Sequence, residues 1–308
     1  MDQFGVLHDG RKPYPGAVSA LEAIRTAGGR VVLVSNSSRR ANQALSKLAT
    51  MGFDTSLFVG AVTSGELTHR ALEARDADWA KPPAGDGRAL RALWLTWGER
   101  GAVSLAGTGV DVVATPEEAD VVLVHGTQAI GRPAREGEAG AEDTSLADLE
   151  ALCRRVAHIH ADRVASGDTR GLPLVCANPD IVTVDAKALA PMPGHLARIC
   201  AAEGGAVVYM GKPAAIIYDA ARTLLTKADG AGASTSIAPS ECLMVGDSLE
   251  HDVAGAAGAG VDSLFVGAGI HESETMRGEA DIDGAAVAAL VGTLGVATPT
   301  LACARLEP

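Results

Sequence analysis

The feature that most constrains the fold is a repeated unit: an uninterrupted apolar run that ends in small polar residues, followed by a helical pattern. The runs RVVLVSNSS (30–38) and ECLMVGDS (241–248) are of this kind, and helical patterns follow at 40–52 and 249–260. A strand that is apolar on both faces is typical of a parallel sheet covered by helices. Such units predict an α/β fold with a doubly wound parallel sheet.

The alternation is clear at both ends of the chain and weaker between them. Strand and helix patterns alternate over about 1–80 and over 205–308, whereas 81–204 mixes strand-like runs with polar, glycine-rich stretches. A chain of 308 residues is long enough for two domains. We therefore predict a Rossmann-like core made of 1–80 and 205–308, with an inserted α/β domain at 81–204.

The composition argues against several classes of partner. The net charge is −12, whereas a protein that binds a nucleic-acid backbone needs a basic surface, so we predict no nucleic-acid partner. No apolar run approaches the roughly 20 residues of a membrane span, so we predict no membrane partner. Five cysteines without a CxxC pair indicate free thiols in a reducing compartment. With no visible signal peptide, these features predict a cytoplasmic protein.

Two stretches near the carboxyl end carry charged groups at strand ends, where an open parallel sheet binds its ligands. In GDSLEHD (246–252), Asp247 follows the apolar run directly and Asp252 comes five residues later. Two carboxylates suit Mg²⁺, although acidic residues also cap helices. In MGKP (210–213), Lys212 could hold a phosphoryl oxygen, neutralise a carboxylate, or be a solvated lysine at a helix start.

Two further stretches, near the amino end of the chain, also carry polar or charged groups that suit phosphate chemistry. In SNSS (35–38), hydroxyl and amide groups precede a helix, which suits a phosphate cradle as well as an ordinary helix cap. At the very start of the chain, Asp2 is followed by Gly5, a residue suited to a tight turn. Carboxylates form acyl-phosphate intermediates, so together with the stretches at 35–38, 210–213 and 246–252 Asp2 is a candidate nucleophile.

In their order along the chain, these four stretches resemble the four motifs of the haloacid dehalogenase superfamily. The insertion between the second and third motifs is similar to class IIA, whose relatives include p-nitrophenyl phosphatase-like, phosphoglycolate phosphatase-like and pyridoxal phosphatase-like enzymes. The resemblance covers nearly the whole chain and is carried by DQFGVLHDG, PYPGA, VVLVSNSSRRA, VTSGE, CANPD and GKPAAIIYDAA.

The resemblance implies a Mg²⁺-dependent phosphoric monoester hydrolase that acts on a small phosphorylated metabolite through an aspartyl-phosphate. Asp2 would attack phosphorus and would ligate Mg²⁺ together with Asp247 and the carbonyl of Phe4. Lys212 would bridge Asp2 and the transferring phosphoryl group. Asp252 would support either Lys212 or a metal-bound water.

The resemblance also assigns the remaining site residues. Ser35 and Asn36 would bind the phosphoryl group, and Gly5 and Gly246 would support the site. The inserted domain would be a cap, whose turn at Asn178, Pro179 and Asp180 would face the site and help to choose the substrate.

The chain departs from the family pattern at Phe4. Phosphatases of this superfamily usually have a second Asp there, which protonates the leaving oxygen and then activates water, a contribution of about 10²–10⁴-fold. One hypothesis is a slow phosphatase, or one that acts on esters with good leaving groups. A second is that His8, beside Asp9, replaces the missing acid. A third is a catalytically impaired, phosphate-ester-binding or regulatory pseudophosphatase.

The second departure is the start of the chain. In this fold the nucleophile stands at the carboxyl end of a central apolar strand, whereas here only Met1 precedes Asp2. A missing central strand is expected to leave backbone groups of its neighbours unpaired and a gap in the core. We expect either a true start further upstream, where an organelle-targeting segment could also lie, or a chain that tolerates the loss and no longer catalyses.

Other hypotheses are weaker. Haloacid dehalogenases that hydrolyse another bond also lack the second Asp, but they have a different cap arrangement and need no metal. GAAGAG (255–260) has neither the spacing nor the strand–helix context of a nicotinamide site. His158 and His160 alternate on a predicted strand without a third ligand, so we interpret them as structural or surface residues. A strand edge in the cap allows a homodimer.

Overall fold

The computed structural model groups the described residues into two compact units. The first unit contains 1–35, 40–63 and 211–308, and the second contains 36–39 and 64–210. Residues 36–39, 64–80 and 205–210, which we assigned to the core from the sequence, therefore belong to the second unit, and the core and cap domains stay a prediction. The described residues are 1–83, 87–98, 101–133, 140–185, 188–227, 237–278 and 280–308.

Helices and strands alternate along most of the chain. In chain order they are α1 (Ala17–Thr26), β1 (Val31–Ser35), α2 (Ala41–Thr50), β2 (Phe58–Thr63), α3 (Ser64–Ala74), β3 (Leu90–Thr96), β4 (Val110–Val112), β5 (Val121–Val124), β6 (Ala129–Gly131), β7 (Ala141–Asp143), α4 (Leu146–Ala165), β8 (Leu174–Cys176), β9 (Val182–Asp185), β10 (Ala188–Pro191), α5 (Pro193–Ala202), β11 (Val207–Tyr209), α6 (Ala215–Lys227), β12 (Leu243–Gly246), α7 (Ala254–Gly258), β13 (Asp262–Val266), α8 (Glu272–Thr275), α9 (Gly284–Leu294) and β14 (Leu301–Cys303).

The predicted α/β fold with parallel strands is confirmed. Strand β1 is buried along its whole length, as its uninterrupted apolar sequence predicts. Leu21 of α1, Leu33 of β1 and Leu48 of α2 are fully buried in one apolar cluster, so the helices cover the strands through their apolar faces.

The sheet of the first unit is divided into two pieces. Strand β1 pairs with β2, and β12 pairs with β13, which pairs with β14; all these pairs are parallel. Among the described residues, the first two of the chain bridge the pieces. The Met1 amino group donates to the Val32 carbonyl at 2.9 Å, and the Asp2 amide donates to the Val245 carbonyl at 2.8 Å. The sheet is therefore interrupted where the central strand was expected.

The second unit has its own sheet, in the order β11-β8-β5-β3-β6-β7, with β4 also paired to β3. Strands β6 and β7 are antiparallel to their neighbours, and the other strands of this sheet are parallel. Strands β9 and β10 form an antiparallel pair. The predicted strand around His158 and His160 is wrong, because both residues belong to α4. The Nδ1 atom of His160 accepts a hydrogen bond from the Leu172 amide, which supports a structural role.

All five cysteines are free thiols, and Cys153, Cys176 and Cys200 are buried. In the part of the chain that the structure describes, no helix combines the length and the apolar character that crossing a membrane requires.

Candidate active site

Asp2 lies where the divided sheet of the first unit is bridged. Its amide pairs with β12, and the carbonyl of Met1 accepts a hydrogen bond from the Val34 amide of β1. The carboxylate of Asp2 is 13% exposed. Strand pairing on both sides therefore holds the candidate nucleophile at the carboxyl ends of β1 and β12, the usual place for the site of an α/β sheet.

Lys212 lies between two carboxylates. Its Nζ atom is 2.9 Å from Oδ1 of Asp2 and 2.7 Å from Oδ1 of Asp252, and its side chain is only 3% exposed. A buried lysine is stable only when it is paired, so this arrangement is the expected one for a charged ammonium at this position. The ion pair with Asp252 supports the first of the two roles considered for Asp252.

Asp247 follows β12 and is buried. Its Oδ2 atom accepts a hydrogen bond from the Ile270 amide at 2.7 Å. Oxygen atoms of Asp2, Asp247 and Asp252 lie within 4.8 Å of one another. The structure thus brings together four side chains that come from opposite ends of the sequence.

Glycines allow the backbone to approach these carboxylates. Gly5 has a φ of +82°, and a Cβ atom there would lie 1.9 Å from Oδ2 of Asp247. A Cβ atom on Gly246 would lie 2.1 Å from Cγ of Asp252. Any side chain at either position would displace a carboxylate, which agrees with the supporting role predicted for both glycines.

Burial dominates the electrostatics of this cluster. It raises the pKa of Asp2 to about 6, although the Lys212 ammonium opposes the shift. Burial, reinforced by the charges of Asp2 and Asp252, raises the pKa of Asp247 well above its usual range. Burial alone would lower the pKa of Lys212, but the two neighbouring carboxylates outweigh it and raise that pKa well above the ordinary value. Lys212 is therefore charged at neutral pH.

The donor set fits a divalent cation. Three carboxylates carry more negative charge than Lys212 neutralises, and burial together with the charges of Asp2 and Asp252 raises the pKa of Asp247. Carboxylate and carbonyl oxygens are the ligands that Mg²⁺ and Ca²⁺ prefer. Both oxygens of Asp252 are engaged, Oδ1 with Lys212 and Oδ2 with the Ser248 amide, so Asp2 and Asp247 are the carboxylates that would hold the ion.

We expect Mg²⁺ to bind more weakly as the pH falls through about 6. Because the pKa of Asp2 is raised from 3.8 to about 6, the native chain holds more protons than the unfolded chain between these two pH values. The stability of the metal-free protein should therefore fall as the pH rises from the lower to the higher of them. Mg²⁺ competes with these protons and should raise the melting temperature more at about pH 7.5 than at about pH 5. Thermal unfolding in Mg²⁺ and in EDTA checks this, and equal Mg²⁺ effects at both pH values would contradict it.

Ser35 ends β1 and is buried beside the nucleophile segment. Its Oγ atom accepts a hydrogen bond from Nε2 of Gln3 at 2.9 Å. Gln3 directly follows Asp2, so this bond ties the predicted phosphoryl-binding serine to the predicted nucleophile.

The other predicted substrate-binding residues form a hydrogen-bonded group in the second unit. Nδ2 of Asn36 donates to Oδ1 of Asp180 at 2.9 Å, and the Asp180 amide donates to Oδ1 of Asn178 at 3.0 Å. Asn36 and Asn178 are buried. These contacts orient the amide of Asn36, whose binding role stays a prediction.

Phe4 is partly exposed and packs edge-on against His8, with 6.1 Å between the ring centroids. Nδ1 of His8 accepts a hydrogen bond from the Gly10 amide. Burial lowers the pKa of His8 to about 4. The imidazole is therefore neutral at pH 7 and packs against the loop, which favours a structural role over that of a replacement acid.

Sequence reasoning did not single out Gln3, Tyr218 or the amide of Ile270. The Tyr218 hydroxyl donates to the His251 carbonyl at 2.9 Å, in the turn that carries Asp252. A backbone amide has no sequence signature, and Tyr218 is far along the chain from the carbonyl that it contacts, so neither forms a recognisable motif. For Gln3, the only signal was its position next to Asp2.

Models of one hydrolase family match both ends of the chain. The model described as haloacid dehalogenase-like hydrolase matches residues 1–106, and the one described as HAD-hydrolase-like matches residues 209–294. Together these ranges cover more than half of the 308 residues.

Individual proteins are similar over most of the chain. Chronophin from Homo sapiens is 26% identical over 276 residues, which are 88% of this chain and 80% of chronophin. A hydrolase of the haloacid dehalogenase-like family from Brucella suis is 26% identical, with a TM-score of 0.67 over 99% of this chain and 93% of its own. A glycerol phosphate phosphatase from Mycobacterium tuberculosis, in complex with magnesium, is 23% identical, with a TM-score of 0.55 over 87% of this chain and 67% of its own.

Proposed function

This chain belongs to the haloacid dehalogenase-like hydrolases, and we propose that it is a Mg²⁺-dependent phosphatase that hydrolyses the monoester of a small phosphorylated metabolite. The observation that carries the proposal is the buried cluster in which Lys212 is paired with Asp2 and Asp252 beside Asp247. The similarity to a phosphatase in complex with magnesium supports both the reaction and the ion. Phosphoryl transfer needs little more from a protein than positioning and charge neutralisation, and this cluster supplies both.

The reaction has two displacements at phosphorus. In the first, an oxygen of the Asp2 carboxylate attacks phosphorus, the bond to the ester oxygen breaks, and the electron pair leaves with that oxygen. In the second, water attacks the aspartyl-phosphate, the bond between phosphorus and the Asp2 oxygen breaks, and inorganic phosphate leaves. Lys212 orients the Asp2 carboxylate and neutralises charge on the phosphoryl group. Held by Asp2, Asp247 and the carbonyl of Phe4, Mg²⁺ would add charge neutralisation at the phosphoryl oxygens.

We assign substrate selection to two regions, the stretch that begins at Ser35 and the turn at 178–180 of the cap. Ser35 and Asn36 bind the phosphoryl oxygens, and the Asn178–Asp180 turn contacts the rest of the substrate. The hydrogen bond between Asn36 and Asp180 supports a joint role for them. The cap is the inserted domain at 81–204. The location is cytoplasmic, and the five free thiols support this part of the proposal.

The proposal is tested by hydrolysis of p-nitrophenyl phosphate, whose leaving group needs no proton and therefore does not depend on the missing acid at Phe4. EDTA should abolish turnover and Mg²⁺ should restore it. Asp247→Asn should lower kcat/KM by about 10³-fold or more, because it replaces a charged carboxylate ligand with a neutral amide. The exposed Asp219→Asn on α6 is the matched control and should keep full activity. A folded, Mg²⁺-binding chain without turnover, or turnover indifferent to EDTA and to Asp247→Asn, would contradict the proposal.

Phe4→Asp should restore hydrolysis of alkyl phosphates, whose leaving groups need a proton. A carboxyl group two residues after the nucleophile would protonate the leaving oxygen, so turnover of glycerol phosphate should rise by about 10²-fold or more relative to that of p-nitrophenyl phosphate. Phe4 is 39% exposed, so the substitution should cost little stability. Phe4→Asn is the matched control, since its amide is of similar size and carries no acidic proton. Equal gains for Asp and Asn would show that proton transfer is not the cause.

A further inference from the structure

A buried tyrosine, which has no part in the proposed reaction, contacts the turn that carries Asp252. Tyr218 lies near the start of α6 and is only 4% exposed. Its hydroxyl donates to the His251 carbonyl at 2.9 Å and lies 3.3 Å from the Asp252 carbonyl, which shares the same proton. Both carbonyls belong to a wide helical turn over Leu249–Val253. Turns of this kind interrupt the regular hydrogen bonds of a helix and are frequent at functional sites.

The same turn determines where the Asp252 carboxylate points. Its Oδ1 atom lies 2.7 Å from Nζ of Lys212, and its Oδ2 atom accepts a hydrogen bond from the Ser248 amide at 3.0 Å. The Asp252 amide in turn donates to the Ser248 carbonyl at 2.9 Å. Asp252 is almost completely buried, so its side chain has little room to compensate for a change in the backbone. The position of the turn therefore fixes the ion pair with Lys212.

One short segment of the chain, residues 212–218, contacts Asp252 at two points. Lys212, just before α6, binds the carboxylate, and Tyr218 contacts the carbonyl of the same residue. A shift of the turn relative to α6 would therefore move the carboxylate away from the ammonium. Because Nζ of Lys212 also lies 2.9 Å from Oδ1 of Asp2, such a shift would change the geometry at the proposed nucleophile.

The fold leaves room for the tyrosine hydroxyl at one glycine. A Cβ atom on Gly255 of α7 would lie 2.3 Å from Oη of Tyr218, whereas a Cβ atom on Gly258 of the same helix would have no described atom within 4 Å. Burial, reinforced by the charge of Asp252, raises the pKa of Tyr218. The hydroxyl therefore stays protonated and remains a hydrogen-bond donor at neutral pH.

We propose that Tyr218 is a positioning residue for phosphoryl transfer, whose hydroxyl holds the 249–253 turn so that Asp252 fixes the Lys212 ammonium beside Asp2. Tyr218 acts through Asp252 and Lys212 and takes no part in making or breaking bonds. The kinetic consequence of this inference rests on the proposed function, whereas the placement of Asp252 can be measured without turnover.

The first test removes the hydroxyl and keeps the ring. Tyr218→Phe should lower kcat for p-nitrophenyl phosphate by about 10-fold and change KM by less than about 2-fold, because a displaced Lys212 loses most where charge develops in the transition state. Gly255→Ala, whose methyl group would push the hydroxyl aside, should have the same effect. Gly258→Ala in the same helix is the matched control and should keep full activity.

A double variant shows whether the effect passes through Asp252. Asp252→Asn removes the charge that pairs with Lys212, so Tyr218→Phe should then lower kcat by less than about 2-fold further. A tyrosine that only contributes to the stability of the fold would cause the same loss in both backgrounds. That result, or an unchanged kcat in Tyr218→Phe alone, would overturn the proposal.

Hydrogen exchange measures the placement of Asp252 without turnover. The Ser248 amide, which donates to Oδ2 of Asp252, should exchange at least about 10-fold faster in Tyr218→Phe and in Gly255→Ala, and at the original rate in Gly258→Ala. The amides of β13 are the reference, because a general loss of stability would speed their exchange as well. An original chain without Mg²⁺-dependent turnover would contradict the proposed function, and hydrogen exchange alone would then decide the role of Tyr218. Exchange at Ser248 that is unchanged, or that speeds only as much as in β13, would overturn that role.

Discussion

Asp2→Asn should abolish phosphatase activity, lowering kcat/KM for p-nitrophenyl phosphate by about 10⁴-fold or more. The side-chain amide keeps the shape of the carboxylate but cannot attack phosphorus, and removal of the nucleophile removes the whole two-step path. The substitution also takes one negative charge out of a buried cluster that has an excess of it. Steady-state kinetics and thermal unfolding of the variant together check this prediction.

Stability separates a chemical effect from unfolding in this experiment. In EDTA at neutral pH, the Asp2→Asn variant should be at least as stable as the original chain, because the raised pKa of Asp2 shows that its ionised form is unfavourable in the fold. Asp219→Asn is again the surface control. Asp2→Asn protein that retains a tenth or more of the activity would exclude Asp2 as the nucleophile.

Lys212→Met should remove activity and destabilise the fold at the same time. Without the ammonium, Asp2 and Asp252 remain buried without their positive partner, and breaking a buried ion pair in this way costs about 3–5 kcal/mol at neutral pH. Turnover should fall by about 10³-fold or more, because the transferring phosphoryl group loses its fixed positive charge. Urea unfolding and p-nitrophenyl phosphate kinetics measure the two effects.

The pH dependence distinguishes this explanation from a simple packing defect. The loss of stability should shrink as the pH falls, since protonated carboxylates no longer need a cation. Lys227→Met, at the exposed end of α6, should change neither activity nor stability by a measurable amount. A loss in Lys212→Met that stays the same from about pH 7.5 to about pH 5 would point to packing rather than to charge.

Much of the site could be predicted because each polar group directly follows an apolar run. Ser35 ends β1 and Asp247 follows β12, two strands of the divided sheet in the first unit, whereas Lys212 follows β11, a strand of the other sheet, and is not covered by this argument. Parallel strands joined by crossovers have their carboxyl ends on one edge, so polar residues at several such ends are expected to meet. This argument uses only local pattern and chain order, and it needs no knowledge of individual contacts.

Other contacts had no local signal. The partner of Asp247 is the backbone amide of Ile270, and a backbone amide is present at nearly every residue of any sequence. The choice of Asp252 as the partner of Lys212 depends on the wide helical turn over Leu249–Val253, which directs the Asp252 carboxylate back toward Gly246. The sequence predicted a plain helix there, and the close approach of the Asp252 carboxylate requires a residue without a Cβ at Gly246.

By itself, the sequence determined the α/β class, the alternation of strands and helices near both ends of the chain, and the polar groups at strand ends, because these follow from apolar periodicity and from chain order. The tertiary structure alone decided that Met1 and Asp2 lie between β1 and β12, and that the sheet is divided behind them. These pairings join residues that are far apart in the chain, Met1 with Val32 and Asp2 with Val245. Their partners are uniform backbone groups, so only the packing of the whole unit can select which of them meet.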